Sequence, residues 1–530
     1  MMAFSALLDA LSYAPARTAK LRLLADYFGH APDPDRGYAL AALTGCLSFP
    51  HAKPAMVRDL AVARIDPVLF GLSYDYVGDL AETVALAWPE RPGRAVPSLG
   101  AVVTALTETP KAGLPRLVEG WLDGLDATGR WALLKLITGG LRVGVSARLA
   151  KTALAEWGGV PLDEVEEVWH GMAPPFPGLF AWAEGRAGRP LVDHGAQFRP
   201  FMLATALDEA ELDDLDPSDY AAEWKWDGIR VQLNGLGERR LFARSGDDLA
   251  AAFPDLLAAV PPGVLLDGEL LVWGGEGRPA PFADLQRRLN RKAPDRKLIE
   301  AFPAHVRLYD LLIEDGEDLR PRPFAERRAR LERWMAAGPR PRLDLSPLIP
   351  FADWDALRSL RAGARDADIE GLMLKRRDSP YLAGRPKGPW FKWKRDPLTA
   401  DAVLMYAQRG HGKRSSFYSD YTFGVWAGDA LVPVGKAYFG FTDEELRLLD
   451  RWVRENTVNR FGPVREVRPG LVFEVAFDGV RRSARHRSGL ALRFPRIARI
   501  RWDKPAAEAD RLEAVEALLA HQAKEPMPPG

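Results

Sequence analysis

Apolar positions in the first third of the chain recur at helical spacing. Phe4, Leu7, Leu8 and Leu11 fall on one helical face, and Leu117, Trp121 and Leu122 mark another. Pro-rich breaks such as RPGRAVPS (91–98) punctuate this run. Residues 186–203 carry Gly and Pro without periodicity and read as a linker. From 221 the period shortens. The runs EWKWDGIRVQLNG, RRLFARSG, GVLLDGELLVW, HVRLYDLLI and IEGLMLKR predict strands, with a helix at FAERRARLERWMAA between them. From about 399 five more short strands follow (DAVLMYAQRG, YTFGVWAG, LVPVGKAYFGF, LVFEVAFDGV and ARIRW), interrupted by a helical insert, TDEELRLLDRWVRENTV. That pattern predicts a small barrel of the OB type. EADRLEAVEALLAHQ reads as a closing amphipathic helix. The expectation is a multidomain chain: an all-α N-terminal domain over 1–198, an α+β domain over 199–398, and a β-barrel OB-fold domain with a C-terminal helix over 399–530.

A length of 530 residues exceeds what one core fills, which agrees with several domains. Charge changes the picture only locally. With 72 basic and 72 acidic residues the whole chain has no electrostatic preference for nucleic acid, so any such partner must be met by patches. Cys46 is the single cysteine, which excludes a disulfide framework or a cysteine-based zinc site within one chain. The first residues have no basic stretch ahead of an apolar one, and no apolar run reaches the length of a membrane span. The expectation is an intracellular, cytoplasmic protein with no membrane partner, nucleoid-associated if the source is bacterial.

Candidate chemistry begins at Glu223-Trp224-Lys225-Trp226-Asp227-Gly228-Ile229-Arg230. A Lys-x-Asp-Gly string arises by chance in roughly one chain in ten of this length. Alone it reads as a strand end, an Asp-Gly turn and a solvated lysine. Five downstream segments, taken in order, give it meaning. LLDGELLVW places Asp267 and Glu269 two apart on one strand face. VRLYDLLI puts Tyr309 in a strand, IEGLMLK contains Glu370 and Lys375, and WFKWK sets Lys392 and Lys394 on one face with Trp390. LRFPRIARIRWDK ends in Arg501-x-Asp503-Lys504. Each has a bland reading as solvated carboxylate, core tyrosine or exposed edge lysine. The ordered set does not.

That ordered set resembles the motifs of the covalent nucleotidyltransferases: DNA ligases, RNA ligases and mRNA-capping enzymes. EWKWDGIR resembles their nucleophile motif, and FARSGDDL (242–249) the Arg-Ser/Asn motif that follows it. LLDGELLVW, VRLYDLLI, IEGLMLKR and WFKWKRDPLTAD are similar to the next four. LRFPRIARIRWDKP resembles the terminal motif of three-domain ATP-dependent DNA ligases, and GGLRVGVSARLAKTALAE (139–156) a segment of their helical DNA-binding domain. The match runs from about 199 to 505 and continues weakly upstream. Two departures stand out. Gly246 follows Arg244-Ser245 where the family carries a side chain, and Tyr309 stands where phenylalanine is commoner.

The resemblance implies an ATP-dependent DNA ligase that joins a 3′-OH to a 5′-phosphate through a lysine–AMP intermediate and an adenylated 5′ end, in DNA repair, replication or recombination. Lys225 would be the nucleophile. A protonated lysine cannot attack, so cations at Lys392 and Lys394 and a bound Mg²⁺ (or Mn²⁺) would favour its neutral form. Glu269 and Glu370, hard carboxylates, would hold that ion, directly or through water. Tyr309 would stack on adenine, and Glu223 would lie near its amino group. Arg230 and Arg244 would contact ribose or phosphates, with Arg244 later free for the 5′-phosphate of the nick. Arg501 and Lys504 would meet the departing pyrophosphate, the barrel rotating on a linker near 397–401. The partner would be nicked double-stranded DNA, encircled by a monomer. Its phosphates would meet two basic stretches. In 481–504, Arg481, Arg482, Arg485, Arg487, Arg493, Arg496, Arg499, Arg501 and Lys504 stand against Asp503 alone. The other stretch is Arg287, Arg288, Arg291, Lys292, Arg296 and Lys297. Arg142 would face the duplex from the helical domain. An RNA ligase or a GTP-using capping enzyme shares the chemistry. The long helical region and the terminal string favour DNA, and the single cysteine disfavours an NAD-dependent ligase. A catalytically dead clamp would be expected to lose Lys225 or the carboxylates, and all are present.

Overall fold

The computed structural model describes residues 1–77, 79–89, 97–192, 198–274, 278–289, 291, 293–363, 369–409, 418–437, 442–483 and 486–521. Arg485 and Lys292 of the two basic stretches lie outside the described residues. Among the described residues, twelve α-helices run from Met2 to Ala183. Their starts are marked by local chemistry: Asp79, Ser98, Asp126 and Ser146 each accept a backbone N–H of the first turn. The four apolar positions of the first helix, Phe4, Leu7, Leu8 and Leu11, are buried as their spacing predicts. In Leu114–Gly124 the buried face is Leu114, Val118 and Leu122. The expected face was therefore turned: Leu117 and Trp121 are only half-buried. One apolar core, from Met1 to Ala183, joins these helices.

Residues 186–203 depart from the linker reading. Those at 193–197 lie outside the described residues, but Phe198, Phe201 and Met202 are buried. Phe198 packs on Phe201 and Phe242 at ring distances of 5.5 and 5.7 Å. Gln232 exchanges two hydrogen bonds with the Arg199 backbone, at 3.2 and 2.5 Å. A segment without periodicity can still be core where single side chains fill gaps between sheets.

The central region is built on two sheets. One orders the strands Thr205–Ala206, Trp390–Lys394, Ile369–Arg376, Tyr220–Trp226 and Leu348–Ile349. The other runs Arg240–Ala243, Ile229–Asn234, Val264–Val272, Ala304–Glu314 and Glu317–Asp318, with Leu343–Leu345 parallel to Ala304–Glu314. The chain passes from the first sheet to the second at Asp227-Gly228. Only glycine fits there, since a Cβ on Gly228 would lie 2.4 Å from the Leu270 carbonyl oxygen.

Leu398–Arg409 opens a third region, where the described residues form an antiparallel sheet of seven strands around its own core, with the paired strands Gly479–Arg482 and Leu490–Arg493 beside it. The helical insert is Asp443–Asn456, started by a capping box between Thr442 and Glu445. Thr457–Phe461 and Val464–Val467 are strands that the apolar pattern does not predict. Thr457–Phe461 is mostly exposed and Val464–Val467 mostly half-buried, so no apolar alternation marks them. The expected pivot near 397–401 is also corrected. Leu398 already pairs with Phe477, which leaves Arg395–Pro397 as the connection between the two regions.

Candidate active site

The crossing at Asp227-Gly228 opens a cavity of about 350 Å³ between the two central sheets. Glu223 and Lys225, two apart, face it from the end of Tyr220–Trp226, as strand alternation requires. Arg230 and Glu269 face it from paired positions of the second sheet. Tyr309, Glu370, Lys375, Trp390, Lys392, Arg244 and Arg385 complete its wall with other residues of the same strands and loops.

Charge is arranged in three layers. In the deepest, Lys375 donates to Glu223 at 3.0 Å, both side chains being almost wholly buried. The Lys375 ammonium lies 4.3 Å from the centre of the Tyr309 ring, and the Arg230 guanidinium 5.6 Å from it. Arg230 is held by Asp267 at 2.7 and 3.1 Å and by the Met202 carbonyl at 2.6 Å, and Tyr381 donates to the same Asp267 at 2.7 Å. Tyr309 is braced through its neighbour: Asp310 takes two bonds from Arg327, each 2.9 Å, and both partners are fully buried. The middle layer is Lys225 and Glu370, which are hydrogen-bonded. A register shift between Ile369 and Gly371 turns Glu370 toward the lysine. The outer layer is cationic, with Arg244 and Arg385 exposed and Lys392 half-buried.

These surroundings move titrations in opposite directions. Burial pushes the Glu269 carboxyl up to about 8, against the pull of Lys225 and Arg230. Glu370 is held below the usual carboxylate range, because Lys225 and Lys394 outweigh its burial. Burial, Arg385 and Lys225 lower Lys392. Burial and Arg230 lower Arg244. The Glu269 side chain has no hydrogen bond to protein among the described residues, although its backbone is paired in the sheet. A half-buried carboxylate facing a cation-lined cavity of about 350 Å³ fits a site completed by a ligand. Among the described residues no three His, Cys, Asp or Glu side chains converge to bind a metal by themselves. Glu269 and Glu370 supply two hard oxygen donors, which suits Mg²⁺ sharing its remaining positions with phosphate and water.

Two sequence profiles match the chain. That of the ATP dependent DNA ligase domain covers residues 201–394, and that of the ATP dependent DNA ligase C terminal region covers 414–504. A probable DNA ligase of Koribacter versatilis is 31% identical, spanning 97% of this chain and 96% of that protein. The chain belongs to the ATP-dependent DNA ligase family. DNA ligase 1 of Korarchaeum cryptofilum is likewise 31% identical, over 96% of each chain. The solved structure named Pmar-Lig_PreS3 aligns over 94% of the ligase and 99% of its own chain, with a TM-score of 0.58 at 15% identity, a likeness of fold. No helix among the described residues is long and apolar enough to cross a membrane.

The fold of the ligase brings Lys225, Glu223, Arg230, Arg244, Glu269, Tyr309, Glu370 and Lys392 to one cavity. Other expected residues lie elsewhere. Lys394 is beyond the rim, 3.7 Å from Glu370 and 3.4 Å from Asp478. Arg501 and Lys504 both pair with Asp401 of the C-terminal sheet. Arg493, expected on DNA, instead enters from the C-terminal region. It makes a bidentate pair with Asp227, one bond of which is 2.5 Å, and approaches Glu370 to 3.7 Å. Arg288 is corrected outright. Its side chain is 0% exposed and bonded to Asp255 at 2.5 and 3.1 Å, so it braces the core and faces no duplex. Arg287, Arg496 and Arg142 are exposed. Lys375 and Arg385 line the cavity without having been expected there, and Arg493 closes on Asp227 beside it. Spacing does not mark Arg385, which comes from a loop, or Arg493, which comes from the C-terminal region; Lys375 is on the strand Ile369–Arg376, where a lysine ordinarily reads as an exposed edge residue.

Proposed function

We propose that the ligase seals nicks in double-stranded DNA through an AMP carried on Lys225, with ATP as donor. The observation that carries this reading is the placement of Lys225 between Glu370 and a cation-lined cavity whose inner end holds Tyr309 and Glu223. Adenine would enter the inner end, stacking on Tyr309, with its amino group donating to Glu223. The phosphates would lie outward along Arg244, Arg385 and Lys392. Arg230, already held by Asp267, would act on the nucleotide from below as a fixed charge.

In the first step the Lys225 amine, having given up its proton to water, attacks the α-phosphorus. The N–P bond forms, the bond to the bridging oxygen breaks, and pyrophosphate leaves. Glu370 is paired with Lys225 in this structure, so its carboxylate must release the amine before attack. A Mg²⁺ or Mn²⁺ ion held by Glu269 and Glu370 would neutralise charge at the α-phosphate. In the second step the 5′-phosphate of the nick takes AMP from the lysine, guided by Arg244. In the third, the 3′-OH attacks that phosphate and AMP departs. Such breaks arise in replication, repair and recombination.

Arg501 and Lys504 would serve the first step only, orienting pyrophosphate, after the C-terminal region, a barrel of the OB type, turns on 395–397. The present position, with Arg493 on Asp227 and the terminal motif held away on Asp401, fits the later steps. Exposed Arg142, Arg287 and Arg496 would contact backbone phosphates as a monomer closes around the duplex. The decisive experiment is incubation with α-labelled ATP. Lys225→Ala should abolish the protein–AMP adduct, a phosphoramidate stable to alkali and labile to acid, and all ATP-driven sealing, and Lys225→Arg should fail too, because a guanidinium stays protonated. Retained sealing by clean Lys225→Ala enzyme overturns the reading.

A further inference from the structure

Two cationic side chains on flexible stems repel each other and drift apart unless something holds them. Arg501 and Lys504 are held. Oδ2 of Asp401 accepts from Lys504 Nζ at 2.7 Å and from Arg501 Nη1 at 3.4 Å. The carboxylate is itself fixed in place. The Asp401 backbone N–H donates to Asp510 Oδ2 at 2.9 Å, and its carbonyl accepts from the Asp510 N–H at 2.8 Å. It sits on Leu398–Arg409 opposite Glu474, while Arg501 is tied to Val472 of the neighbouring strand. Its side chain is only 14% exposed, and Oδ1 is buried with no hydrogen-bond partner. Burying a carboxylate with one oxygen unsatisfied opposes folding, so the contact with the two cations is what keeps it there.

We infer that Asp401 is the positioning residue of the terminal motif, holding Arg501 and Lys504 as one two-pronged grip for the pyrophosphate end of ATP. The inference rests on the role given above to that motif. All these groups lie in one region and move together when it turns, so the grip arrives at the cavity already assembled. Charge also favours this ligand. Asp503 takes Arg501 from the other side at 2.8 and 3.0 Å, so two carboxylates balance the two cations. A neutralised cluster draws a single backbone phosphate weakly, whereas adjacent terminal phosphates carry enough charge to compete for both donors at once.

The test uses the full chain with Asp401→Asn, which keeps the shape and removes the charge, and Asp401→Glu, which keeps the charge. Adduct formation is followed against ATP concentration, and its reversal against pyrophosphate. Sealing of a nick that already carries AMP on its 5′-phosphate is timed in parallel. Asp401→Asn should raise the half-saturating ATP and pyrophosphate concentrations about tenfold, leave sealing of the pre-adenylated nick at its usual rate, and be largely rescued in Asp401→Glu. Unchanged half-saturating concentrations overturn the inference. So does an equal loss in both steps with a lowered melting temperature, which marks a purely structural role. Arg501→Ala separates the two levels. If it forms the adduct normally, the role of the terminal motif falls and Asp401 with it; if it is slow while Asp401→Asn is normal, only Asp401 falls.

Discussion

The central region of the ligase meets its two neighbours through seams of different chemistry. Toward the helical region the seam is aromatic and buried. His170 packs between Phe198 and Phe242 at ring distances of 5.4 and 5.2 Å, and Glu167 gathers Arg320 at 2.9 Å and Arg189 at 2.8 Å. The unusual Gly246 belongs here. Its φ is +89°, and a Cβ would lie 2.6 Å from His170 Nε2, so the side chain the family carries there would collide with the seam. Toward the C-terminal region the seam is ionic and open. Arg493 reaches Asp227, and Lys394 reaches the Asp478 carboxylate at 3.4 Å, which Arg496 of the same region also approaches at 3.5 Å; the Arg395 guanidinium donates to the Asp478 backbone carbonyl at 3.0 Å. A cavity of about 510 Å³, lined by Phe282, Lys436 and Phe494 among others, lies beside them. Rings lose their stabilisation when separated, because water replaces buried contacts. Ion pairs can exchange one anion for another, and DNA phosphates are anions. The first seam is built to stay and the second to trade partners.

The largest expected effect comes from removing one side of the aromatic seam. Deleting residues 1–198 should leave self-adenylation largely intact and weaken nick binding by about a hundredfold or more, read by fluorescence anisotropy at fixed salt. Because Phe198 packs with Phe201 and Phe242, a chain that retains it should be the more stable of two truncations. Equal nick binding by the truncated and full chains would break the assignment of the helical region.

A smaller effect is expected from acid. Burial, with help from Lys151 and against Asp247 and Asp248, lowers the pKa of His170 from 6.5 to about 4. Its folded-state pKa is depressed, so the docked chain refuses a proton that the unfolded chain accepts. The seam is at full strength above pH 6.5 and loses stability as pH falls from there toward 4, by up to about 3 kcal/mol. Hydrogen exchange at the seam, measured at several pH values in this window, should show the loss, and His170→Phe should flatten it. A seam indifferent to pH in the unsubstituted protein would contradict the neutral, buried state.

The smallest effect sharpens the contrast. Raising salt from about 0.05 to about 0.5 M should loosen the C-terminal region, seen as a larger radius in small-angle scattering, and leave the aromatic seam closed. Arg493→Ala should produce the same loosening at low salt, worth about 1–2 kcal/mol. Were salt to open both seams alike, the distinction between them would fail.

Much of the architecture was legible because period and punctuation carry it. The apolar face of the first helix, the strand-turn-strand at Asp227-Gly228 and the capped helix at Asp443–Asn456 are local patterns with local causes. The hairpin at 457–467, exposed on its first strand, was not legible, since its strands are held by backbone pairing rather than by an alternating apolar face. Among site residues, those two apart on strands were found, because alternation puts them on one side. Lys375 lies close to Glu370 along the chain yet bonds Glu223, across the sheet.

The amino-acid sequence by itself determined the order of the motifs, and with it the family chemistry and the residue types at the cavity. Only the tertiary structure decided which charges meet. Arg288 and Arg287 are adjacent in one basic run, yet one is locked on Asp255 in the core and the other is exposed. Arg493 and Arg501 lie in one string, yet one reaches Asp227 and the other Asp401. Charge interactions depend on distance and burial through space, and neighbours on a strand or helix point to different sides. A run of like charges in the sequence therefore leaves its partners undecided until the chain is folded.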